Sequence, residues 1–212
     1  MKRKSGIILA GLFAALAAAG IYSTNYTGED IVVIKPCITE TGEVSQDTFR
    51  LAETKDIKVH AYKKYRDRDI NRNLKLVIHH SAGSKDATIA DLSKIHVDEN
   101  GWAKLSYHFA VNYKGHVLFI NDLDKLTYHV KGSNTISIGI LMIGSYNLYE
   151  PSDELLDTLE IIIDYLKSQL DIDEVSIHNR MPGAETLCPG VYAEKKLEER
   201  NIIARRLKNI EL

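Results

Sequence analysis

Hydrophobic and polar positions change period several times along this 212-residue chain, and each change marks an element. Residues 5–28 carry no charge, residues 7–19 within them are apolar, and Lys2, Arg3 and Lys4 stand directly ahead. That order reads as an export signal or as an uncleaved membrane anchor. Ala17, Ala18 and Ala19 offer the small side chains that a signal peptidase requires. A stretch of roughly 20 apolar residues also just spans a bilayer. Residues 1–24 are assigned to this signal peptide or membrane anchor, 25–73 to an N-terminal extension or linker, and 74–212 to the folded domain. Within the extension a short strand is read at 31–34, followed by a charged stretch. Between Lys55 and Lys75 eight Lys or Arg face three Asp. Such a run is expected to be solvated surface, with contact to anionic polymers or lipid heads as the alternative.

Beyond Asn73 short β-rich runs alternate with helical stretches, which predicts an α/β domain around a central sheet. Residues 74–79 are apolar enough for a buried strand. Thr88 and Asp91 have the spacing of a capping box, after which Ile89, Leu92 and Ile95 recur at helical intervals, with His96 beside them. Residues 108–113 and 116–121 read as two strands joined by a Lys114-Gly115 turn, and 136–143 as a third. Pro151-Ser152-Asp153-Glu154 opens a helix whose stripe is Leu155, Leu159, Ile162, Leu166 and Leu170. A strand at 175–177, a loop over 178–189 and an amphipathic helix over 193–209 follow.

The composition, 44% hydrophobic with a formal charge of −2, suits one domain and supplies no global basic field, so no nucleic-acid partner is expected. A monomer is expected. Two cysteines 151 positions apart make no disulfide framework and no Cys-x-x-Cys pair. Cys37 follows Ile34-Lys35-Pro36, well beyond the apolar run, so no lipidation signal surrounds it. Pairing of Cys37 with Cys188 is the direct rival to any metal role for Cys188.

A catalytic zinc site takes three protein ligands and leaves one position open. His79 and His178 each fall at the end of a predicted strand, and Cys188 lies ten residues after His178 in a loop containing Pro and Gly. Spacing alone makes this a weak signal, because 99 positions separate the two histidines and any of the eight histidines can be structural.

The surrounding residues strengthen it. Val77-Ile78-His79-His80-Ser81-Ala82, Gly101-Trp102, Ser106-Tyr107-His108-Phe109, Ser137-Ile138-Gly139-Ile140 and Thr186-Leu187-Cys188-Pro189-Gly190 form five motifs in a fixed order. Over about residues 74–191 the chain resembles the zinc-dependent N-acetylmuramoyl-L-alanine amidases, which share a fold with peptidoglycan recognition proteins and phage amidase lysozymes. The resemblance implies a single α/β domain with a central mixed β-sheet flanked by helices. It further implies hydrolysis of the amide bond between N-acetylmuramic acid and L-alanine in peptidoglycan, which the N-terminal signal or anchor would put outside the cytoplasm. A non-catalytic peptidoglycan-binding protein of the same fold is the alternative. By the same resemblance Zn²⁺ is the cofactor, His79, His178 and Cys188 are its ligands, and His80 is only a neighbour. Tyr107 matches a tyrosine that bonds the attacking water or the substrate carbonyl, and Thr186 stands where relatives carry threonine or lysine.

Two departures qualify the resemblance. Leu141 occupies the position of a glutamate base in the cytosolic recycling branch, which disfavours that branch. His178-Asn179-Arg180 replaces the His-Arg-Asp of many relatives, leaving the partner of His178 open, with Asn179 one choice. Trp102, His129 and Asn134 are candidate substrate contacts: Trp102 lines a groove or caps a helix, and His129 belongs to a segment resembling the family's His-x-x-Gly ahead of Asn134. His80 and His108 are candidates to protonate the leaving amine, with a structural role as the alternative for each.

Overall fold

The computed structural model describes residues 57–205 together with two short antiparallel strands, β1 (Ile21–Tyr22) and β2 (Lys35–Pro36). The apolar segment at 7–19, the strand read at 31–34 and Cys37 lie outside the described residues. Among the described residues no helix is long and apolar enough to cross a membrane.

A five-stranded mixed sheet forms the centre. Its strands are β3 (Leu74–His80), β4 (Phe109–Val111), β5 (Val117–Phe119), β6 (Ser137–Met142) and β7 (Ile172–Ile177), in the order β5-β4-β6-β3-β7. β3 pairs in parallel with β6 and β7, β4 in parallel with β6, and β5 antiparallel with β4. Every residue of β6 and all of β3 except Lys75 are buried, as strands covered on both faces must be. The β4–β5 hairpin turns at Gly115, whose φ of +75° favours glycine and whose added Cβ would meet the Glu154 carbonyl oxygen at 2.6 Å.

Helix α2 (Asp153–Gln169; the first helix, α1, is Ile89–Lys94) covers one face of the sheet. Ser152 caps α2 by accepting from the Leu155 N–H, and Asp153 and Glu154 meet the positive end of the helix dipole. Leu155, Leu159, Ile162 and Leu166 then pack with Leu76, Ile78, Ile138 and Ile140 in one cluster. Each such side chain contributes about 1.5–3 kcal/mol when fully buried. Helix α3 (Val191–Glu199) adds Ala193 and Leu197 to that cluster. The sequence pattern extends this helix over 193–209, but it stops at Glu199. Asn201 turns left-handed at φ 58°, and the Ile202 and Asn201 N–H groups close onto the Leu197 and Glu198 carbonyls at 2.9 and 3.1 Å.

On the opposite face α1 carries the expected capping box between Thr88 and Asp91 and runs on into a π-helical turn, Ile95–Glu99. Its Ile89 and Leu92 meet Ala110, Leu118, Leu141 and Ile143.

The boundary expected at Asn73 moves toward the N-terminus. Ile57, Tyr65 and Ile70 are buried, Tyr65 Oη donates to the Lys104 carbonyl at 2.5 Å, and the Leu126 N–H donates to the Arg66 carbonyl at 2.8 Å. Residues 57–73 are thus part of the domain. The charge count concealed this because apolar residues are interleaved with the basic ones, and one of those, Arg68, is itself only 6% exposed.

Candidate metal centre

Strand register brings the two distant histidines together. Ile78 of β3 is the partner of Ile177 of β7, so the next residues, His79 near the end of β3 and His178 just past β7, stand side by side with ring centroids 4.6 Å apart. The carboxyl ends of parallel strands are where α/β folds assemble sites. Cys188 returns through the loop after β7. Its carbonyl accepts from the Asn179 N–H at 2.9 Å, its N–H donates to Thr186 Oγ1 at 3.1 Å, and its Sγ accepts from the His80 N–H at 3.3 Å. Outside the loop, Arg180 bridges Glu194 (2.7 Å) and Glu198 of α3, and Asn179 Nδ2 donates to Glu194 Oε2 at 2.9 Å. The ligand loop is thereby tied to a helix.

One donor atom from each of His79, His178 and Cys188 lies within 4.8 Å of the others, and Cys188 Sγ is 3.7 Å from His79 Nδ1. Around a tetrahedral zinc with bonds of about 2.0–2.3 Å, ligand atoms stand roughly 3.3–3.6 Å apart. The set therefore fits zinc after a small contraction. Burial, reinforced by the neighbouring histidines, pushes His79 well below the usual imidazole range, and burial also lowers His178. Burial pushes the Cys188 thiol up to about 12 against the opposing pull of the His80 N–H. Metal ligation takes neutral imidazoles and a thiolate; burial supplies the first, and an adjacent cation reverses the second.

Tyr107 stands over the site with its ring centroid 5.1 Å from that of His79. Burial raises its pKa, which keeps the phenol protonated at neutral pH. From Tyr107 an aromatic wall runs to His96 (5.7 Å), Trp102 (4.9 Å further) and Tyr128 (6.2 Å further), each distance between ring centroids. Trp102 is half-buried in that wall, and Tyr128 is exposed.

The other sequence candidates are placed differently. His129, expected to line the groove, is 6% exposed and sits behind His79, its Nδ1 3.0 Å from His79 Nε2. Asn134, expected to touch substrate, accepts through Oδ1 from the His129 and Val130 N–H groups at 3.0 and 2.7 Å. His80 Nδ1 accepts from the Tyr146 N–H at 3.2 Å, and His108 Nδ1 from the Gly139 N–H at 3.0 Å, so both are engaged structurally. Asn179 spends its amide on Glu194 rather than on His178. Leu141 is the β6 partner of His79 and is 1% exposed, so that position offers an apolar side chain where a carboxylate would stand beside the histidine.

A sequence profile described as N-acetylmuramoyl-L-alanine amidase matches residues 66–191. The chain belongs to that amidase family. Peptidoglycan-recognition protein SC2 of Drosophila melanogaster is 29% identical over 122 residues, which are 54% of this chain and 66% of that protein, just under two thirds of its length. An endolysin of Klebsiella phage KP32 is 32% identical over 71 residues, 32% of this chain and 46% of the endolysin. Among solved structures, the Drosophila peptidoglycan recognition protein SD superposes with a TM-score of 0.62 at 16% identity, covering 72% of this chain and 94% of that one. The endolysin amidase LysCS of Clostridium intestinale superposes with a TM-score of 0.57 at 21% identity, covering 68% of this chain and 95% of that one. At those identities the structural likeness establishes the shared fold.

Sequence reasoning missed several residues that organise this amidase domain. Arg68, from the stretch expected to be solvated, donates to the carbonyls of Leu123, Asn134 and Ser137. The Arg180–Glu194–Glu198 brace spans loop and helix, and its only sequence signal is charge complementarity across 14 to 18 positions. Ser137 stands in the Ser137-Ile138-Gly139-Ile140 motif, whose letters do not reveal that its hydroxyl donates to the Ser133 carbonyl.

Proposed function

We propose that this chain hydrolyses the amide bond between N-acetylmuramic acid and L-alanine in peptidoglycan, with a zinc ion held by His79, His178 and Cys188. The observation that carries the reading is the convergence of those three donors within 4.8 Å at the ends of two parallel strands, in a member of this family. Zinc, when bound, lowers the pKa of water toward about 7 and polarises a scissile carbonyl. Tyr107, kept protonated by burial and with its ring beside His79, would donate to the oxygen that gains charge. Thr186 Oγ1 already accepts from the Cys188 N–H, which leaves its hydroxyl proton available to donate. One preorganised donor of this kind is worth about 10²–10³ in rate. The wall from His96 through Trp102 to Tyr128 offers apolar ring surface to a sugar or stem peptide, while His129 and Asn134 act from behind the site. The substrate fits the export reading of the basic and apolar N-terminal segment, and the enzyme would act outside the cytoplasm, free or anchored by that segment.

Binding without turnover is the second reading. It is favoured by a relative that carries recognition in its name. Purified full-length chain, loaded with zinc and incubated with purified cell wall, is expected to free new L-alanine amino groups. Stoichiometric zinc and wall binding with no freed amino groups would establish the second reading instead.

A further inference from the structure

Behind the candidate ligands, the hydrogen bonds fix proton positions one after another. Ser137 Oγ spends its proton on the Ser133 carbonyl at 2.8 Å, and the Ser137 carbonyl already accepts from Arg68 Nη1 at 2.5 Å. These two oxygens lie 3.3 and 3.4 Å from His129 Nε2, and both can only accept there. His129 Nε2 must therefore carry a proton. A second proton on His129 would bury a cation next to the Arg68 guanidinium, which holds the same carbonyl. A neutral imidazole has one N–H, so His129 Nδ1 is bare and accepts at 3.0 Å from His79 Nε2. His79 Nε2 then carries its ring's proton, and the free lone pair of His79 is on Nδ1, the atom 3.7 Å from Cys188 Sγ.

The surrounding motif serves this arrangement. Asn134 Oδ1 takes the His129 and Val130 N–H groups and so turns the backbone that carries the ring inward. Gly139 gives the ring its slot, since an added Cβ would meet His129 Cγ at 2.7 Å and Nδ1 at 2.8 Å. His79 is completely buried, so a neighbouring side chain, not solvent, decides which of its nitrogens is free.

We propose that His129 is a positioning residue. With Ser137 and Arg68 anchoring its far side, it holds His79 in the tautomer and ring plane that present Nδ1 to the metal. This rests on the zinc reading above but needs no turnover. Competition with a chromogenic chelator, on the full-length chain, measures zinc affinity. His129→Ala is expected to weaken it about 10- to 100-fold, the scale of losing a ligand's supporting bond. His129→Asn, whose side-chain oxygen falls near the position of Nδ1, is expected to recover part of that loss. Gly139→Ala, which displaces the ring and leaves His129 in place, is expected to weaken zinc as well, and keeps the test available if His129→Ala does not fold. The visible absorption of the cobalt-substituted His129→Ala or Gly139→Ala chain should also shift from that of the cobalt-substituted parent. A folded His129→Ala or Gly139→Ala chain with parental zinc affinity and parental cobalt spectrum would overturn the proposal. A parent chain that binds zinc and frees no amino groups removes the hydrolytic reading and leaves this one standing; a parent that binds no zinc removes both.

Discussion

On one face of the central sheet Leu76, Ile78, Ile138 and Ile140 meet the leucines and isoleucines of α2 in an apolar contact. Near the carboxyl end of β3 on the other face, His79, His108, His129 and Arg68 are buried to a similar depth. The first face gains stability from each apolar side chain through the removal of surface from water. The second loses stability for each polar group taken from water and recovers it only through matched donors and acceptors. The hydrogen bonds show that matching: Gly139 N–H onto His108 Nδ1, Arg68 onto three carbonyls, and His129 between Ser137 and His79. The contrast teaches that one layer of this domain is built for stability and the other for orientation, so mutations in the two should separate folding from function.

The largest effect is expected from Cys188→Ser. Turnover of cell wall should fall by about 10³-fold or more, the scale of removing a central catalytic group, while unfolding in the presence of a chelator shifts by less than about 2 kcal/mol. Wall-digestion rates and denaturant unfolding of the same preparation check both halves; a Cys188→Ser chain that keeps its turnover would erase the division.

Leu159→Ala on the apolar face should do the reverse. A cost of about 2–5 kcal/mol is expected by denaturant unfolding, from lost burial and the cavity left behind, with turnover per folded molecule unchanged. Loss of turnover in the folded fraction would show that the two layers are coupled more tightly than their separate contacts suggest.

The smallest effect is a pH dependence confined to the polar side. Burial holds His96 down at about 4, below an ordinary value of about 6.5. The unfolded chain therefore takes up a proton first, and the stability linked to neutral His96 is present above about pH 6.5 and lost as pH falls through about 4. His96→Gln should flatten that part of the stability profile relative to the parent when both are measured metal-free in a chelator, where His79 and His178 contribute equally to each. An unchanged profile would contradict the assignment.

Much of the fold was legible because its signals are local. The apolar runs of β3 and β6, the capping box at Thr88 and the Ser152 cap each depend on residues a few positions apart. The candidate metal centre was legible only through ordered motifs, since 99 positions separate His79 from His178 and strand register alone makes them neighbours. Other features were hidden for physical reasons. Arg68 looks like the surface cations around it until four backbone and ring partners enclose it. A histidine that lines a groove and one that supports another histidine have the same letter, so the place of His129 behind His79 required the Gly139 slot to be seen. The amphipathic pattern over 193–209 gives no sign that Asn201 will turn left-handed and end α3.

The central claim is that His79, His178 and Cys188 hold one zinc ion, and X-ray absorption at the zinc edge on the loaded full-length chain tests it most directly. The account predicts two nitrogen scatterers from imidazoles at about 2.0–2.1 Å and a single sulfur at about 2.3 Å, with the sulfur shell absent from Cys188→Ser. A zinc spectrum without sulfur, or one unchanged by Cys188→Ser, would contradict it.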